Sequence, residues 1–445
     1  MQRIALAGLV LVSACAGTHE QTVRDRLATH RSFDRPPSPR PRAFDGGLGA
    51  YVAHAVATHP RMEAAYFRWR ASAARIDQGR RVPDPTLTYT GFVRRVETRV
   101  GPQRHKLSLR QQLPFPTVWG HGTEASSLDA ESEGRRVDAV ALTLTAKVSD
   151  AYWDLWRIAR VRRVLKDQAA ILDGLSASAR ARLEVGSVGL TEVAQVGLLI
   201  ARNAEAQSAL DEQEARARAA LRSALSVDGD TPLTVDPEAA PKVALPRESP
   251  AALREAGAEH PAIDALALSA EAHDERAELA YAEGLPTFSI GLDWIETGPA
   301  LDPALDGSGR DAVTVSAGIS IPLWRFAEDA AEEESRALAR ATRADREALV
   351  VARRGAIDEV LSRLRDGVRR VKLYRDTLRP QAEAVLESAL AEYQVGNVSL
   401  ATAIMAQRDL LEVQMGLFEA QAAHARSWSA LEHLVGRKVE AGEAV

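Results

Sequence analysis

The sequence predicts a mainly α-helical fold with a small β part and an internal duplication. Three observations lead to this prediction: short motifs that recur in order, long segments with a heptad pattern, and four segments that alternate between apolar and polar residues. Aromatic residues make up only 5% of the 445 residues, which is typical of long alanine-rich helices rather than of a bulky globular core.

Four short motifs recur in the same order roughly 200 residues further along the chain. The pairs are His59-Pro60 with His260-Pro261, 85–88 with 286–289, 113–115 with 321–323, and 184–190 with 394–400. We infer an internal duplication, with a first repeat over 46–226 and a second repeat over 251–438. A proline-rich linker over 227–250 joins the repeats, and 439–445 form a tail.

The chain begins with the features of a bacterial export signal. Arg3 supplies a positive charge, residues 4–12 are apolar, and small residues precede Cys15, the single cysteine. We predict a signal peptide over 1–14 and a lipidated N-terminal segment over 15–45. The Cys15 thiol would carry the lipid, because its surroundings resemble a bacterial lipobox. The alternative is a buried cysteine in an ordinary first strand.

Two segments of each repeat alternate with period two and predict a β-hairpin. We expect strands at about 84–93 and 104–113 in the first repeat, and at about 286–296 and 312–322 in the second. A strand of about ten residues is long enough to cross an outer membrane, with lipid on its apolar face and water on its polar face. The polar face, and thus the barrel lumen, would carry Thr86, Thr88, Lys106, Arg110 and Asp293.

The number of strands has a consequence for assembly. A soluble sandwich would show the same alternation, so no single strand decides between the two environments. Four strands cannot close a barrel, however, and open sheet edges are not tolerated in lipid. If the strands span a membrane, several copies must therefore pool them, which predicts an obligate oligomer.

Each hairpin is followed by a long segment with apolar residues at heptad spacing, which predicts coiled-coil packing. We expect long helices at about 123–185 and 190–226 in the first repeat, and at about 326–395 and 400–436 in the second, with a kink at Pro380. A helix over 123–185 would be about 90 Å long, which favours a tube or a stalk over a compact domain.

The sequence shows no motif for catalysis or for cofactor binding. None of the ten histidines stands in an HExxH motif or beside a cysteine, so we expect no metal site. A Walker loop, a GxSxG motif and a dinucleotide fingerprint are also missing from the sequence. We therefore expect no enzyme activity and no cofactor. The net charge of −5 argues against nucleic acid as a partner.

The lipobox, the duplicated halves, the two hairpins and the long heptad helices together resemble the TolC family of outer-membrane efflux factors, over about residues 46–438. The resemblance implies a homotrimer with four strands per protomer in a twelve-stranded transmembrane β-barrel. The coiled-coil helices would continue this barrel as an α-barrel across the periplasm. It also implies lipid-anchored localisation in the bacterial outer membrane.

The resemblance further implies the role of a passive exit duct in a tripartite efflux pump. The partners would be a periplasmic adaptor (membrane fusion) protein and an inner-membrane pump, with the RND type favoured. Drugs, metal ions and polypeptides all leave through ducts of this layout, so the substrate class stays open. The pump class and the state of the resting tip stay open as well.

Two turns match the periplasmic tips that dock the adaptor in this family. They consist of Val185, Gly186, Ser187, Val188, Gly189 and Leu190, and of Val395, Gly396, Asn397, Val398, Ser399 and Leu400. Gly186 and Gly396 also have a structural reason, since glycine ends a helix most easily in the left-handed conformation. Glu192 and Thr402 are the candidate gate residues. Thr402 stands where some members have an acid, and Glu192 also fits a simple role in stabilising a helix N-terminus.

Two other classes of protein remain as alternatives. A non-channel envelope lipoprotein would use its coiled coil as a structural spacer and would keep its β part soluble. An envelope enzyme would need a convergent polar site, which the sequence does not show. The spacer would form no membrane-embedded oligomer, so assembly in the membrane separates it from the duct.

Overall fold

The computed structural model describes residues 18–30, 34, 44–302 and 304–443, and the predicted signal peptide and Cys15 lie outside them. The fold is mostly helical with one small four-stranded sheet. The helices are α1 (Thr18–Thr29), α2 (Leu48–Thr58), α3 (Pro60–Gly79), α4 (Pro116–Glu184), α5 (Leu190–Leu225), α6 (Pro250–Ala258), α7 (Pro261–Glu283), α8 (Phe326–Lys372), α9 (Arg379–Gln394) and α10 (Leu400–Val435). The strands are β1 (Thr86–Thr98), β2 (Gly101–Leu113), β3 (Thr287–Thr297) and β4 (Ala312–Ser320).

The two hairpins join into a single antiparallel sheet in the order β1-β2-β3-β4. Strands β2 and β3 come from different repeats and pair with Ser108 opposite Asp293. The first hairpin is longer than its alternation predicts, because Gly101 at φ 129° closes a tight turn directly after Thr98. Within the described chain, β1 and β4 each have one neighbour, so each leaves an unpaired edge.

The long helices differ from the prediction at two prolines. Helix α4 has 69 residues and begins at Pro116 rather than at about 123. Proline is favourable in this first position, because its missing N–H has no partner there in any helix. The single helix expected over 326–395 is interrupted by a π-helical turn, Leu373–Leu378, directly before α9. The irregularity expected at Pro380 takes this form, since proline cannot donate the regular helical hydrogen bond.

The chain forms two compact units. The first comprises the described parts of 1–31, 67–135 and 264–347, and the second those of 32–66, 136–263 and 348–445. Each unit contains segments of both repeats, because strands from the two repeats pair with each other and the long helices are shared. The sheet lies in the first unit, and both predicted tips lie in the second.

The N-terminal helix α1 packs within the first unit. Its Val23 side chain is buried against Ile76 and Ala130. Glu20 is only 2% exposed, and its carboxylate pairs with the guanidinium groups of Arg24 and Arg80. A buried carboxylate needs such partners, because an unpaired charge in the interior is costly. Helix α1 is therefore fixed to the segment that leads into β1.

The recurring His-Pro motif has a structural cause in both repeats. His59 Nδ1 accepts a hydrogen bond from the Arg61 N–H at 3.0 Å, at the start of α3. His260 Nδ1 accepts one from the Ala262 N–H, also at 3.0 Å, at the start of α7. Each imidazole therefore caps a helix whose first residue is proline.

Candidate channel and docking surfaces

One face of the sheet is apolar and exposed. Opposed residues on this face are Leu87 with Leu109, Leu109 with Leu292, and Leu292 with Val315. Leu87 is 64% exposed and Val315 is 75% exposed. The same face continues through Tyr89, Leu107, Phe288, Ile290, Trp294, Val313 and Ile319, which are all exposed. A contiguous apolar surface that spans all four strands marks contact with lipid or with another protein.

The opposite face of the sheet is polar and brings the five predicted lumen residues together. Asp293 lies opposite Ser108, which lies opposite Thr88, and the Asp293 Oδ1 atom accepts a hydrogen bond from the Ser108 Oγ at 2.5 Å. Lys106 Nζ lies 3.1 Å from the same Oδ1 atom.

Arg110 lies opposite Thr86 on this polar face. Since Asp293 pairs with Lys106, the charge of Arg110 remains as the excess on this part of the face. The arrangement can bind or repel ions, but the lumen role of these five residues stays a prediction. Ser108, which links Asp293 to the first hairpin, is absent from the predicted lumen residues.

Exposed apolar and aromatic side chains follow β4. Leu323, Trp324 and Phe326 are 75%, 74% and 79% exposed. After the first hairpin, Trp119 lies in the first turns of α4, and its Nε1 donates to the Arg81 carbonyl oxygen at 3.3 Å. Tryptophan and phenylalanine at the end of an apolar sheet face are typical of the boundary between lipid and water.

Both predicted tips close their helices with the same backbone motif. Gly186 has φ 72° and Gly396 has φ 84°. The Ser187 N–H donates to the Arg182 carbonyl at 2.9 Å, and the Asn397 N–H donates to the Glu392 carbonyl at 2.9 Å. This is the Schellman arrangement, in which a left-handed residue lets the chain satisfy the last carbonyls of the helix. The duplicated sequence thus produces duplicated turns.

Arg182 joins the two tips to each other. Its Nη1 donates to the Tyr393 carbonyl oxygen at 3.0 Å, and its guanidinium carbon lies 4.8 Å from the centre of the Tyr393 ring. Tyr393 is 1% exposed and packs with Leu172 and Val196. No motif in the sequence marks Arg182. Its position in the last turn of a helix is the only signal for it, and that signal is common to many helices.

The two tips differ at the leucine that ends each of them. Leu190 is 71% exposed, whereas Leu400 is 1% exposed and packs in the cluster around Tyr393. Val185 and Val395 are 77% and 72% exposed, so both tips still present apolar side chains to their surroundings. Symmetric sequence motifs therefore give two unequal surfaces.

The candidate gate residues occupy equivalent positions in the first turn of α5 and of α10. The Thr402 N–H donates to the Ser399 Oγ at 3.4 Å, so this part of the chain is used for helix capping. One carboxylate oxygen of Glu192 is buried and has no hydrogen-bond partner in the part of the chain that the structure describes. Their role in a gate stays a prediction.

Across residues 18–30, 34, 44–302 and 304–443, no helix combines the length and the apolar character that a bilayer crossing requires. The same residues contain no group of three or more histidine, cysteine or acidic side chains placed to hold a metal ion.

The fold and its surfaces define a class: a duplicated, mostly helical protein with a four-stranded sheet, as in TolC-like channels. The chain belongs to the outer membrane efflux protein family, whose model matches residues 52–227 and again residues 252–437. The double match confirms the internal duplication. Its family is thus one of outer-membrane efflux channels.

Individual proteins of this kind are similar to the chain over most of its length. The outer membrane efflux protein BepC of Brucella suis is 26% identical over 61% of this chain and 58% of BepC. Protein CyaE of Bordetella pertussis is 27% identical over 68% of this chain and 67% of CyaE. The crystal structure of the outer membrane protein VceC of Vibrio cholerae has a TM-score of 0.70 at 18% identity, over 88% of this chain and 97% of VceC. At this identity, the likeness to VceC shows the fold.

Proposed function

We propose that the chain is the outer-membrane exit duct of a tripartite efflux pump. Three copies would contribute four strands each to a closed barrel, and their helices would continue it as a tunnel into the periplasm. Conduction would be passive, with energy supplied by an inner-membrane pump of the RND type. Lipid on Cys15 would anchor each copy to the outer membrane.

The observation that carries this proposal is the sheet, which has one continuous apolar face, one polar face and two unpaired edges. Unpaired backbone groups at β1 and β4 are tolerated in lipid only when another strand covers them. Antiparallel order with an even number of strands lets the β4 edge of one copy meet the β1 edge of the next. Closure by several copies satisfies the edges and places the Asp293 face on the inside.

The tips support docking of a periplasmic adaptor. Exposed Val185, Leu190 and Val395 offer apolar contacts at the ends of long helices, beside polar backbone turns. Arg182 holds the two helix ends together through its hydrogen bond to Tyr393, so the two tips can form one docking surface. Glu192 and Thr402 follow these turns and would line the end of the tunnel, where opening and closing take place.

The test is the mass of the detergent-extracted protein together with negative-stain electron microscopy. We expect three copies in a cylinder about 100 Å or more in length, since α4 alone has 69 residues at about 1.5 Å per residue. Monomeric or dimeric rods would contradict the proposal, because the strands would then never close a barrel. The envelope-spacer function would replace it in that case.

A further inference from the structure

The turn ends of the two hairpins carry opposite net charges. Segment 94–104, at the end of the first hairpin, holds four arginines and one glutamate. Segment 296–311, at the end of the second hairpin, holds four acidic residues and one arginine. Both segments lie at the same end of the sheet, because its four strands alternate in direction. We call them the basic turn and the acidic turn.

Within one chain, the two turns already meet. Arg104 Nη1 lies 3.8 Å from Glu296 Oε1, across the β2–β3 pair. The Gly309 N–H of the acidic turn donates to the Val100 carbonyl oxygen of the basic turn at 2.7 Å. Asp311 is also engaged inside the chain, where it accepts a hydrogen bond from the Thr297 N–H at 2.9 Å. These interactions use the charges nearest to the middle of the sheet.

The remaining charges stand towards the outer strands. Arg94, Arg95 and Arg99 are exposed, and their guanidinium groups make no ion pair or hydrogen bond with the described residues. They lie on or directly after β1, whose pairing with β2 shifts register between Gly91 and Val96.

The acidic turn has its own exposed charges on the approach to β4. Asp306 is exposed and likewise has no such partner in the described part of the chain. Asp302 is exposed, and within the described part of the chain its carboxylate accepts one local hydrogen bond, from the Ala304 N–H at 3.0 Å. One outer edge of the sheet therefore ends in uncompensated arginines, and the other begins after uncompensated aspartates.

We propose that the basic turn of one copy lies against the acidic turn of the next copy and selects the order in which the copies join. This inference rests on the proposed oligomeric duct. Each basic turn would then stand between two acidic turns, its own and its neighbour's. All copies in one membrane insert in the same direction, so pairing of two β1 edges, or of two β4 edges, would bring like charges together at the same end of the sheet, which is unfavourable. The charges therefore favour the head-to-tail order that closes a ring over the symmetric pairing that gives a dimer.

A charge exchange tests this interface. The variant R95E/R99E puts acids on both sides, D302R/D306R puts bases on both sides, and the fourfold variant exchanges the two signs. The quantity to measure is the rate at which detergent-solubilised trimers dissociate after dilution, followed by their mass in solution. We expect each double variant to dissociate roughly tenfold faster at 0.15 M salt and the fourfold variant to return to within about twofold of the wild type. At 1 M salt the differences should shrink, since the Debye length falls from about 8 Å to about 3 Å.

The control is R340E/R346E, which makes the same change of charge at exposed positions on α8. We expect that adding D302R/D306R to this control does not slow the dissociation of its trimers. The proposal is overturned if the wild type is a trimer and the fourfold variant dissociates as fast as the double variants. It is also overturned if R95E/R99E weakens assembly only in vesicles with anionic lipid, because the arginines would then bind lipid headgroups. A monomeric wild type would instead overturn the proposed function on which the interface rests.

Discussion

At the scale of single residues, the histidine caps hold a neutral imidazole against cationic surroundings. His260 is 1% exposed, and its ring centre lies 5.9 Å from that of His433. Burial is the main cause that lowers the pKa of His260 to about 4, and the nearby charges of Arg353 and His433 add to it. Burial also lowers the pKa of the equivalent His59. A lowered pKa means that the unfolded chain binds the proton more readily than the folded chain.

His260 therefore predicts acid sensitivity with a defined sign. Its contribution to the unfolding free energy is complete above its ordinary pKa of about 6.5, and it is lost as the pH falls from there towards 4. We expect a loss of about 3 kcal/mol from this group. The substitution His260→Asn keeps a helix cap that does not titrate.

Unfolding in denaturant, followed from pH 7 to pH 4, checks this prediction. H260N should lose less stability than the wild type over that range, whatever its stability at pH 7. The matched control is His59→Asn, whose histidine is less deeply buried, and it should have a smaller effect. An H260N variant with the same pH dependence as the wild type would show that the cap does not titrate in this range.

At the scale of elements, each tip depends on a glycine with a left-handed backbone. Gly186 has φ 72° and no neighbour within 4 Å of an added Cβ, so Gly186→Ala meets strain but no clash. We expect the free energy of local unfolding at this tip to fall by about 1 kcal/mol. Hydrogen exchange of the amides around Ser187 measures this free energy.

The control for the tip is Gly197→Ala, inside α5, where an added Cβ also meets nothing within 4 Å. A glycine inside a helix costs conformational entropy on folding, so this change should raise the free energy of unfolding by about 0.5–1 kcal/mol. Equal effects of the two substitutions would mean that the left-handed turn is not needed for the tip.

The two faces of β4 give a second prediction at this scale. Val315→Lys puts a charge on the apolar face, and Thr314→Lys puts the same charge next to it on the polar face. We expect V315K to lose membrane assembly, at a cost of about 2–4 kcal/mol per copy near the middle of a bilayer, while T314K assembles. Fractionation of membranes and gel mobility without heating report the result. Equal assembly of both variants would disprove the contact with lipid.

The helices and strands could be predicted from the sequence, but the contacts between them could not. Alternation places Leu109 and Ser108 on opposite faces, because a period of two can be read from one strand alone. It does not reveal that Ser108 lies opposite Asp293, since that pairing joins residues from different repeats. Heptads indicate the long helices but not the π turn before Pro380, because a pattern of apolar residues does not record the backbone hydrogen bonds that proline disrupts. The hydrogen bond from Arg182 to Tyr393 cannot be predicted from the sequence either, because it joins residues that are far apart along the chain.

At the scale of the whole molecule, the predicted lipid anchor and the sheet are separate attachments to the membrane. Helix α1 begins three positions after Cys15 and is held in the first unit through Glu20 and Val23. Nothing in that packing requires the lipid. The proposed anchor and the fold can therefore be tested independently.

Replacing Cys15→Ala removes the only thiol in the chain. We expect cells grown with labelled fatty acid to label the wild type and not C15A, because the lipid has no other acceptor sulfur. Ser13→Ala, beside the predicted cleavage site, should still be labelled. Mass measurement should show that C15A forms the same oligomer as the wild type. Label on C15A would disprove the predicted modification.

The π turn between α8 and α9 breaks the equivalence of the two repeats. It inserts an extra residue into one turn and rotates the residues that follow by about 100° around the helix axis. The corresponding helix of the first repeat, α4, runs through its 69 residues without such a change of phase. In the proposed trimer, six similar tips would therefore alternate between two kinds, as the exposures of Leu190 and Leu400 also do. A partner arranged with true sixfold symmetry would meet a ring with only threefold symmetry, and it would have to bind two different sites in turn.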